Sequence, residues 1–319
     1  MRKKYYLAAD GGGSKLSALI YDEEFNVVST AKTDGTNTVF KPRELVHTNI
    51  DNMLNELIPS SVTELEGADY CIVGNDGYFD KALKNRLPIK RMTQRLETSI
   101  GLAAGCVIDG ILAISGTGSG VSYFQSNAPS FHAGGWGPLL GDEGSGYDIG
   151  LRTIKAAIYS SDCRRPPSIL TEMIKDHFRV ERLWDIIEIL EREPDARHVI
   201  ASVSRITSKA AEQGDVVAMD IYKHAAKELY RMTKAVIKSN NGIINQQIVL
   251  MGGAWKGSPI MFNTYRDLVK AKFPSAEFVR PDFEPVIGCI VMRLIDEGLK
   301  MTDIASLLSD KFSEFRINW

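Results

Sequence analysis

Leu7-Ala8-Ala9-Asp10-Gly11-Gly12-Gly13-Ser14-Lys15 has a partial copy in Leu112-Ala113-Ile114-Ser115-Gly116-Thr117-Gly118-Ser119-Gly120, with Leu, Ala, Gly, Gly and Ser coinciding at five of nine places. Each copy closes a short apolar run with a glycine turn and leads into a further run, residues 16–21 in the first case and 121–125 in the second. Glycines between two strands give a hairpin turn that can adopt positive φ and leaves backbone N–H groups uncovered by side chains. Such a turn can cradle an anion. A strand, glycine turn and strand recurring where a second domain would begin predicts a duplicated fold.

The chain around these copies reads as α/β. Residues 26–32 supply a third strand with β-branched residues at alternate places, completing an antiparallel meander. After Gly35-Thr36-Asn37-Thr38, Pro42 opens a helix predicted to run to about residue 58, with Leu45, Ile50, Leu54 and Leu57 on one side. Residues 70–73 form a short buried strand ending in Gly74-Asn75-Asp76-Gly77. Three strands, a helix and another strand make an open mixed sheet. Residues 89–97 read as a strand, 98–106 as a small-residue helix and 111–115 as the strand of the second copy. From 145 to about 241 the chain is mostly helical, then 248–251 form a strand entering Gly252-Gly253-Ala254. A helix at 259–271, a strand at 277–279, a helix at 284–297 and a closing amphipathic segment at 300–319 follow. The expected division is an N-terminal domain over 1–112 and a C-terminal domain with a helical insertion over 113–319, the final segment being free to pack back on the first domain.

Composition narrows the partners. The 319 residues are 44% hydrophobic and 24% charged, and 38 basic against 40 acidic side chains give a net charge of −2. No basic block favours a nucleic acid or a membrane surface, so neither is expected as a partner. Met1-Arg2-Lys3-Lys4 is basic, but the apolar run behind it stops at Asp10, too short for a signal-peptide core. The apolar region 100–114 is broken by Asp109 and glycines and falls short of a membrane span. Cys71, Cys106, Cys163 and Cys289 form no C-x-x-C pair, which suits a reduced, cytoplasmic protein. There is no G-x-x-x-x-G-K-[ST], no G-x-G-x-x-G opening a helix, no H-E-x-x-H and no G-x-S-x-G. His47, His132, His177, His198 and His224 are scattered and read as ordinary.

What remains is three glycine turns after strands, at 10–15, 115–120 and 252–254, and the segment Gly134-Gly135-Trp136-Gly137-Pro138-Leu139-Leu140-Gly141-Asp142-Glu143-Gly144-Ser145-Gly146. The order of these motifs resembles the sugar kinase, Hsp70 and actin superfamily. Within it, G-G-W-G-x-x-x-G-D-E-G-S resembles the BadF/BadG/BcrA/BcrD ATPase family and its N-acetylglucosamine kinase branch, over about residues 4–298.

The resemblance implies two similar ribonuclease H-like, actin-like ATPase domains with mixed sheets flanking a central cleft. It places ATP with its phosphates on Gly11, Gly12, Gly13, Ser14 and Lys15 and on Gly116, Thr117, Gly118 and Ser119, and its adenosine near Gly252 and Gly253. Opposed backbone N–H groups would then hold phosphate without a P-loop lysine. Asp10 matches the position that holds Mg²⁺ through water. For the acceptor, the family pattern matches Asn37 and Asp76. Asp76 is the residue expected to orient the sugar hydroxyl and take its proton as general base. Asp142 matches a position that binds sugar hydroxyls, with the Gly135-Trp136-Gly137 backbone along the N-acetyl side. Glu97 stands where the family often has an aspartate in a T-D-A or N-D-A turn. Taken on their own, Asp76 also reads as a turn former before Gly77, Lys15 as a solvent-facing strand lysine and 143–145 as a helix start.

The implied reaction is ATP-dependent phosphorylation of a small amino sugar, N-acetylglucosamine to N-acetylglucosamine 6-phosphate. Glucosamine or N-acetylmuramic acid is the alternative acceptor. The same broad family includes ATPases that activate radical dehydratases, whose iron–sulfur cluster needs thiolates that these four cysteines are poorly placed to supply. A non-catalytic sugar sensor would lack the carboxylate at Asp76. Members of such families often pair through the second domain, so a homodimer is a further expectation.

Overall fold

Alternation along the first strand dictates how the first part of the chain must be covered. In β1 (Tyr5–Gly11), Leu7 and Ala9 enter one apolar cluster while Ala8 enters another, and β2 (Lys15–Asp22) sends Leu16, Ala18 and Ile20 to the first and Leu19 and Tyr21 to the second. A sheet apolar on both faces needs helices on both. The computed structural model describes residues 3–125, 131–239 and 247–319. It divides the chain into two units, Met1–Ile108 with Pro281–Trp319, and Asp109–Arg280.

The remaining strands are β3 (Val27–Asp34), β4 (Gly67–Ile72), β5 (Met92–Gln94), β6 (Gly110–Ser115), β7 (Ser119–Phe124), β8 (Phe131–Gly134), β9 (Gln247–Met251) and β10 (Glu277–Val279). Helices of the first stretch are α1 (Arg43–Leu57), α2 (Tyr78–Lys84) and α3 (Glu97–Ala103). Those of the second unit are α4 (Gly137–Leu140), α5 (Gly146–Ser161), α6 (Leu170–Phe178), α7 (Ile186–Arg192), α8 (Ala196–Ser202), α9 (Ser204–Glu212), α10 (Val216–Ser239) and α11 (Pro259–Lys272). The chain then returns to the first unit with α12 (Pro285–Asp296) and α13 (Met301–Lys311).

The first unit is one sheet in the order β3-β2-β1-β4-β5, and the second is one in the order β10-β9-β6-β7-β8. Pairing is antiparallel through β1–β2–β3 and through β6–β7–β8, and parallel through β1–β4–β5 and through β6–β9–β10. Reading β6 for β1 and onward makes the two sheets the same, so the nine-residue repeat marks equivalent hairpins. The sequence reading carries 89–97 as one strand, but β5 is only Met92–Gln94 because Glu97 already opens α3. It names no strand at β8, which lies close behind the undescribed residues 126–130.

Val46, Ile50, Leu54 and Phe79 from α1 and α2 cover one face of the first sheet. The other face is covered by Ile100 of α3 together with Ile287, Ile290 and Leu294 of α12 and Leu308 of α13. Where the sequence reading runs the second domain to 319, residues 281–319 thus complete the first core. Buried charges fix the fit. Asp69 in β4 pairs with Arg91 at 2.7 Å and Arg95 at 2.6 Å, and Arg95 reaches Asp296 of α12 at 2.7 Å. Arg293 lies buried over the Tyr6 ring and donates to Tyr21 Oη at 3.0 Å. In the second unit, α5, α6, α10 and α11 pack on β6, β7 and β9 around Ile149, Ile174, Leu229 and Tyr265.

Candidate active site

In the first unit the functional candidates gather where β1, β4 and β5 end. The turn after β1 closes through Gly12 N–H donating to Lys15 O at 3.0 Å, and Thr36 N–H donates to Gly12 O at 2.8 Å, tying the turn to the loop after β3. Asp10 is the next-to-last residue of β1. Burial, with the Glu97 carboxylate beside it, pushes its carboxyl up to about 7 against the pull of the Lys15 ammonium, and Glu284 adds to the rise. Lys15 Nζ lies 3.2 Å from Glu284 Oε2 and Lys32 Nζ 3.1 Å from Oε1. Burial works to raise the Glu284 carboxyl, but these two ammoniums outweigh it and hold it low. Lys15, expected on a phosphate, is engaged with a carboxylate.

Asn37 and the 74–77 turn meet directly. Gly74 has φ +74°, and a Cβ there would fall 2.3 Å from Asn37 Oδ1, so only glycine lets the amide lie against the turn. Thr38 reinforces the contact, its N–H and Oγ1 donating to Gly74 O at 2.8 and 2.9 Å. The buried Asn75 side chain shapes the turn from within, donating to Ile72 O at 2.7 Å and accepting from Gly77 N–H at 2.9 Å. This leaves Asp76 at φ +52°, in the wall of a pocket of about 200 Å³ lined by Ile72, Gly74, Asn75, Asp76, Asp80 and Gln94. Two partners that the sequence reading missed hold the Asp76 carboxylate: the Arg43 guanidinium, with Nε 2.9 Å from Oδ2, and the His47 ring, with Nε2 3.3 Å from Oδ1. His47 stacks on Tyr78 with ring centroids 3.7 Å apart, and Tyr78 Oη donates to Asp51 at 2.8 Å. Spacing offers a signal for both partners: residues 43 and 47 lie one helical turn apart. Glu97 is exposed at the first residue of α3, and its charge acts on Asp10.

The second unit brings its own set together. Ser115 Oγ donates to Gly144 O at 2.7 Å, Ser119 Oγ to Glu143 O at 2.7 Å, and Gly146 N–H to Gly116 O at 2.7 Å. The 116–119 turn and the 142–146 segment are therefore zipped edge to edge, and Ser145 caps α5 by accepting from Asp148 N–H. Asp142, expected on sugar hydroxyls, is buried: Oδ2 accepts from Arg197 Nη2 at 2.8 Å and Oδ1 from Ser119 N–H at 3.3 Å. Its carboxylate braces the glycine turn from behind. Gly252 has φ +110°, and a Cβ there would lie 2.3 Å from Ser115 O, so the third turn also abuts the second. Gly135 and Gly137 have positive φ, and Trp136 between them is 74% exposed, which leaves this part of the segment on the unit's surface. Arg197, on α8 and 55 positions from its partner, has no local sequence signal.

Two mixed sheets of one strand order, each led by a glycine hairpin, define the ribonuclease H-like, actin-like ATPase fold class. The chain belongs to the BadF/BadG/BcrA/BcrD ATPase family, which it matches over residues 9–292. It is 30% identical over 309 residues to an N-acetylmuramic acid/N-acetylglucosamine kinase of Clostridium acetobutylicum, covering 91% of this chain and 98% of that protein. It is 24% identical over 316 residues to an N-acetyl-D-glucosamine kinase of Dictyostelium discoideum, covering 92% and 99%. Among solved structures, a candidate N-acetylglucosamine kinase from Porphyromonas gingivalis superposes with a TM-score of 0.70 at 17% identity, over 92% of this chain and 100% of that one.

Proposed function

We propose that the chain is an ATP-dependent sugar kinase that phosphorylates the primary hydroxyl of an amino sugar, with N-acetylglucosamine as the leading acceptor and Asp76 as general base. The observation that carries this reading is the junction of Asn37 with the 74–77 turn beside the first glycine hairpin, which gives an acceptor pocket with a carboxylate in its wall. The names of the two kinase relatives point to the same acceptor class. The 11–14 and 116–119 turns are the stretches for nucleotide phosphate; Gly12, Gly116 and Ser119 N–H donate within the fold, so the role falls to other backbone N–H groups of each turn.

Asp10 is the residue for Mg²⁺. That cation suits one or two carboxylates plus water and phosphate oxygens, and among the described residues no cluster of three His, Cys, Asp or Glu side chains forms an all-protein cage. A carboxyl pushed toward protonation by burial and by neighbouring Glu97 and Glu284 is also one whose charged form a divalent cation favours. When bound, the ion neutralises charge on the transferring phosphoryl group.

A second reading of the base has its own observation. Glu97 opens α3 just after β5, and its charge acts on Asp10 at the first hairpin. On that reading Glu97 accepts the hydroxyl proton and Asp76 orients the sugar. The dehydratase-activator alternative finds little in the thiols: Cys71 and Cys289 are buried, Cys106 is half-buried and Cys163 alone of the four is exposed.

The test is phosphate transfer from ATP, with Mg²⁺, to N-acetylglucosamine, glucosamine and N-acetylmuramic acid side by side. Sugar-dependent ADP release with a phosphorylated sugar product is expected. No acceleration by any of the three sinks the kinase reading.

A further inference from the structure

We infer that Arg43 is a specificity-determining residue of the acceptor pocket, and that it reads a carboxylate on the acceptor, so that an acidic amino sugar is among the substrates. The inference rests on the kinase reading above. Arg43 is the first residue of α1, and its side chain is 67% exposed while its Nε lies 2.9 Å from Asp76 Oδ2 in the pocket wall. A guanidinium carries five donors in a rigid fork suited to a second, bidentate carboxylate.

Fold stability does not account for a cation here. A positive charge in the first turn of a helix opposes the helix dipole, and an ion pair this exposed contributes little. Its charge has a consequence for ligands instead. The pocket lining carries Asp76 and Asp80, the latter accepting from Tyr70 Oη at 2.5 Å. Two carboxylates would repel an anionic acceptor, and Arg43, which reaches Asp76 from beside the lining, offsets that repulsion. His47 bonds the other Asp76 oxygen and is braced by its stack on Tyr78, so Asp76 keeps a partner when the guanidinium engages an incoming carboxylate. A carboxylate on the sugar, such as an O-linked lactyl group, would take over Arg43 and leave Asp76 Oδ2 to a sugar hydroxyl.

The experiment compares wild type, Arg43→Ala and Arg43→Lys on N-acetylmuramic acid, its methyl ester and N-acetylglucosamine. Wild type is expected to phosphorylate the acid. The ratio of kcat/KM for the acid to that for the ester falls by about 10- to 100-fold in Arg43→Ala, the effect of charge-assisted hydrogen bonds. Arg43→Lys restores part of it, since the charge returns without the fork. The ratio cancels any effect on the shared chemical step or on the folded fraction. Wild type that phosphorylates N-acetylglucosamine but not the acid, or a ratio that Arg43→Ala leaves unchanged, overturns the inference. Wild type that phosphorylates no hexosamine overturns the kinase reading beneath it.

Discussion

Gly12→Ala separates what the protein needs at the first hairpin from what a ligand needs. A Cβ built on Gly12 meets nothing within 4 Å, and its φ lies outside the left-handed region. The fold therefore has no steric use for glycine there. Alanine at a compatible position stabilises by about 0.4–1 kcal/mol through the unfolded chain, so the ligand-free Tm should hold or rise by about 1–4 °C. If nucleotide phosphate lies on this turn, the methyl occupies its space and lifts it off the backbone. Losing one charge-assisted hydrogen bond costs about 1.5–3 kcal/mol, or roughly 10- to 150-fold in nucleotide affinity. Calorimetric titration with ADP, beside a thermal melt of the ligand-free protein, reads both quantities. An unchanged Tm with unchanged affinity would refute the assignment of this turn to phosphate. A fall in both would mean that the residue serves the fold.

The base is decided by Asp76→Asn against Glu97→Gln: the residue that takes the proton loses about 10²–10⁴ in kcat while nucleotide affinity stays, and the other chiefly raises the sugar KM. Steady-state rates with both substrates varied would discard both assignments if neither variant lowers kcat. Arg197→Met strands the buried Asp142 carboxylate and should cost about 3–5 kcal/mol, lowering Tm by roughly 6–20 °C, with partial recovery in the Arg197→Met, Asp142→Asn double variant. A Tm equal to wild type contradicts the bracing role. Gly252→Ala forces a Cβ to within 2.3 Å of Ser115 O at φ +110°, and a loss of about 1–3 kcal/mol is expected in denaturant unfolding. An unshifted unfolding midpoint would show that the third turn is not pressed against the second.

The duplicated architecture was legible because it is local. Strand, glycine turn and strand lie within nine consecutive residues, and the hairpins at β1–β2 and β6–β7 form where the repeat falls. Asn37 and Asp76 were also legible as turn residues after strands, and for Asp76 the strand is the parallel β4, whose end is where an α/β sheet presents side chains to a ligand. Their surroundings were not. Arg43 and His47 looked like ordinary positions of a helix, and their role depends on how α1 lies beside the 74–77 turn. Lys15 and Glu284 are 269 positions apart, and no pattern in a single sequence joins them. The pairing of Asp142 was hidden for the same reason, because its motif is local and its partner Arg197 comes from α8. The short β5 failed through period: residues 89–97 carry strand-like composition, yet the loop at Arg95 serves the buried Asp69 and leaves only three residues to the ladder.

The return of residues 281–319 to the first unit has a consequence for biosynthesis. On a ribosome that has emitted Tyr5 through Gln94, the first sheet can form, but the face holding Ala8, Leu19 and Tyr21 waits for Ile287, Ile290 and Leu308. The whole of Asp109–Arg280 is translated in that interval, and it can close its own core first. The unit that begins the chain is thus the last to be finished, and until then it is a natural client for chaperones that recognise an uncovered apolar sheet.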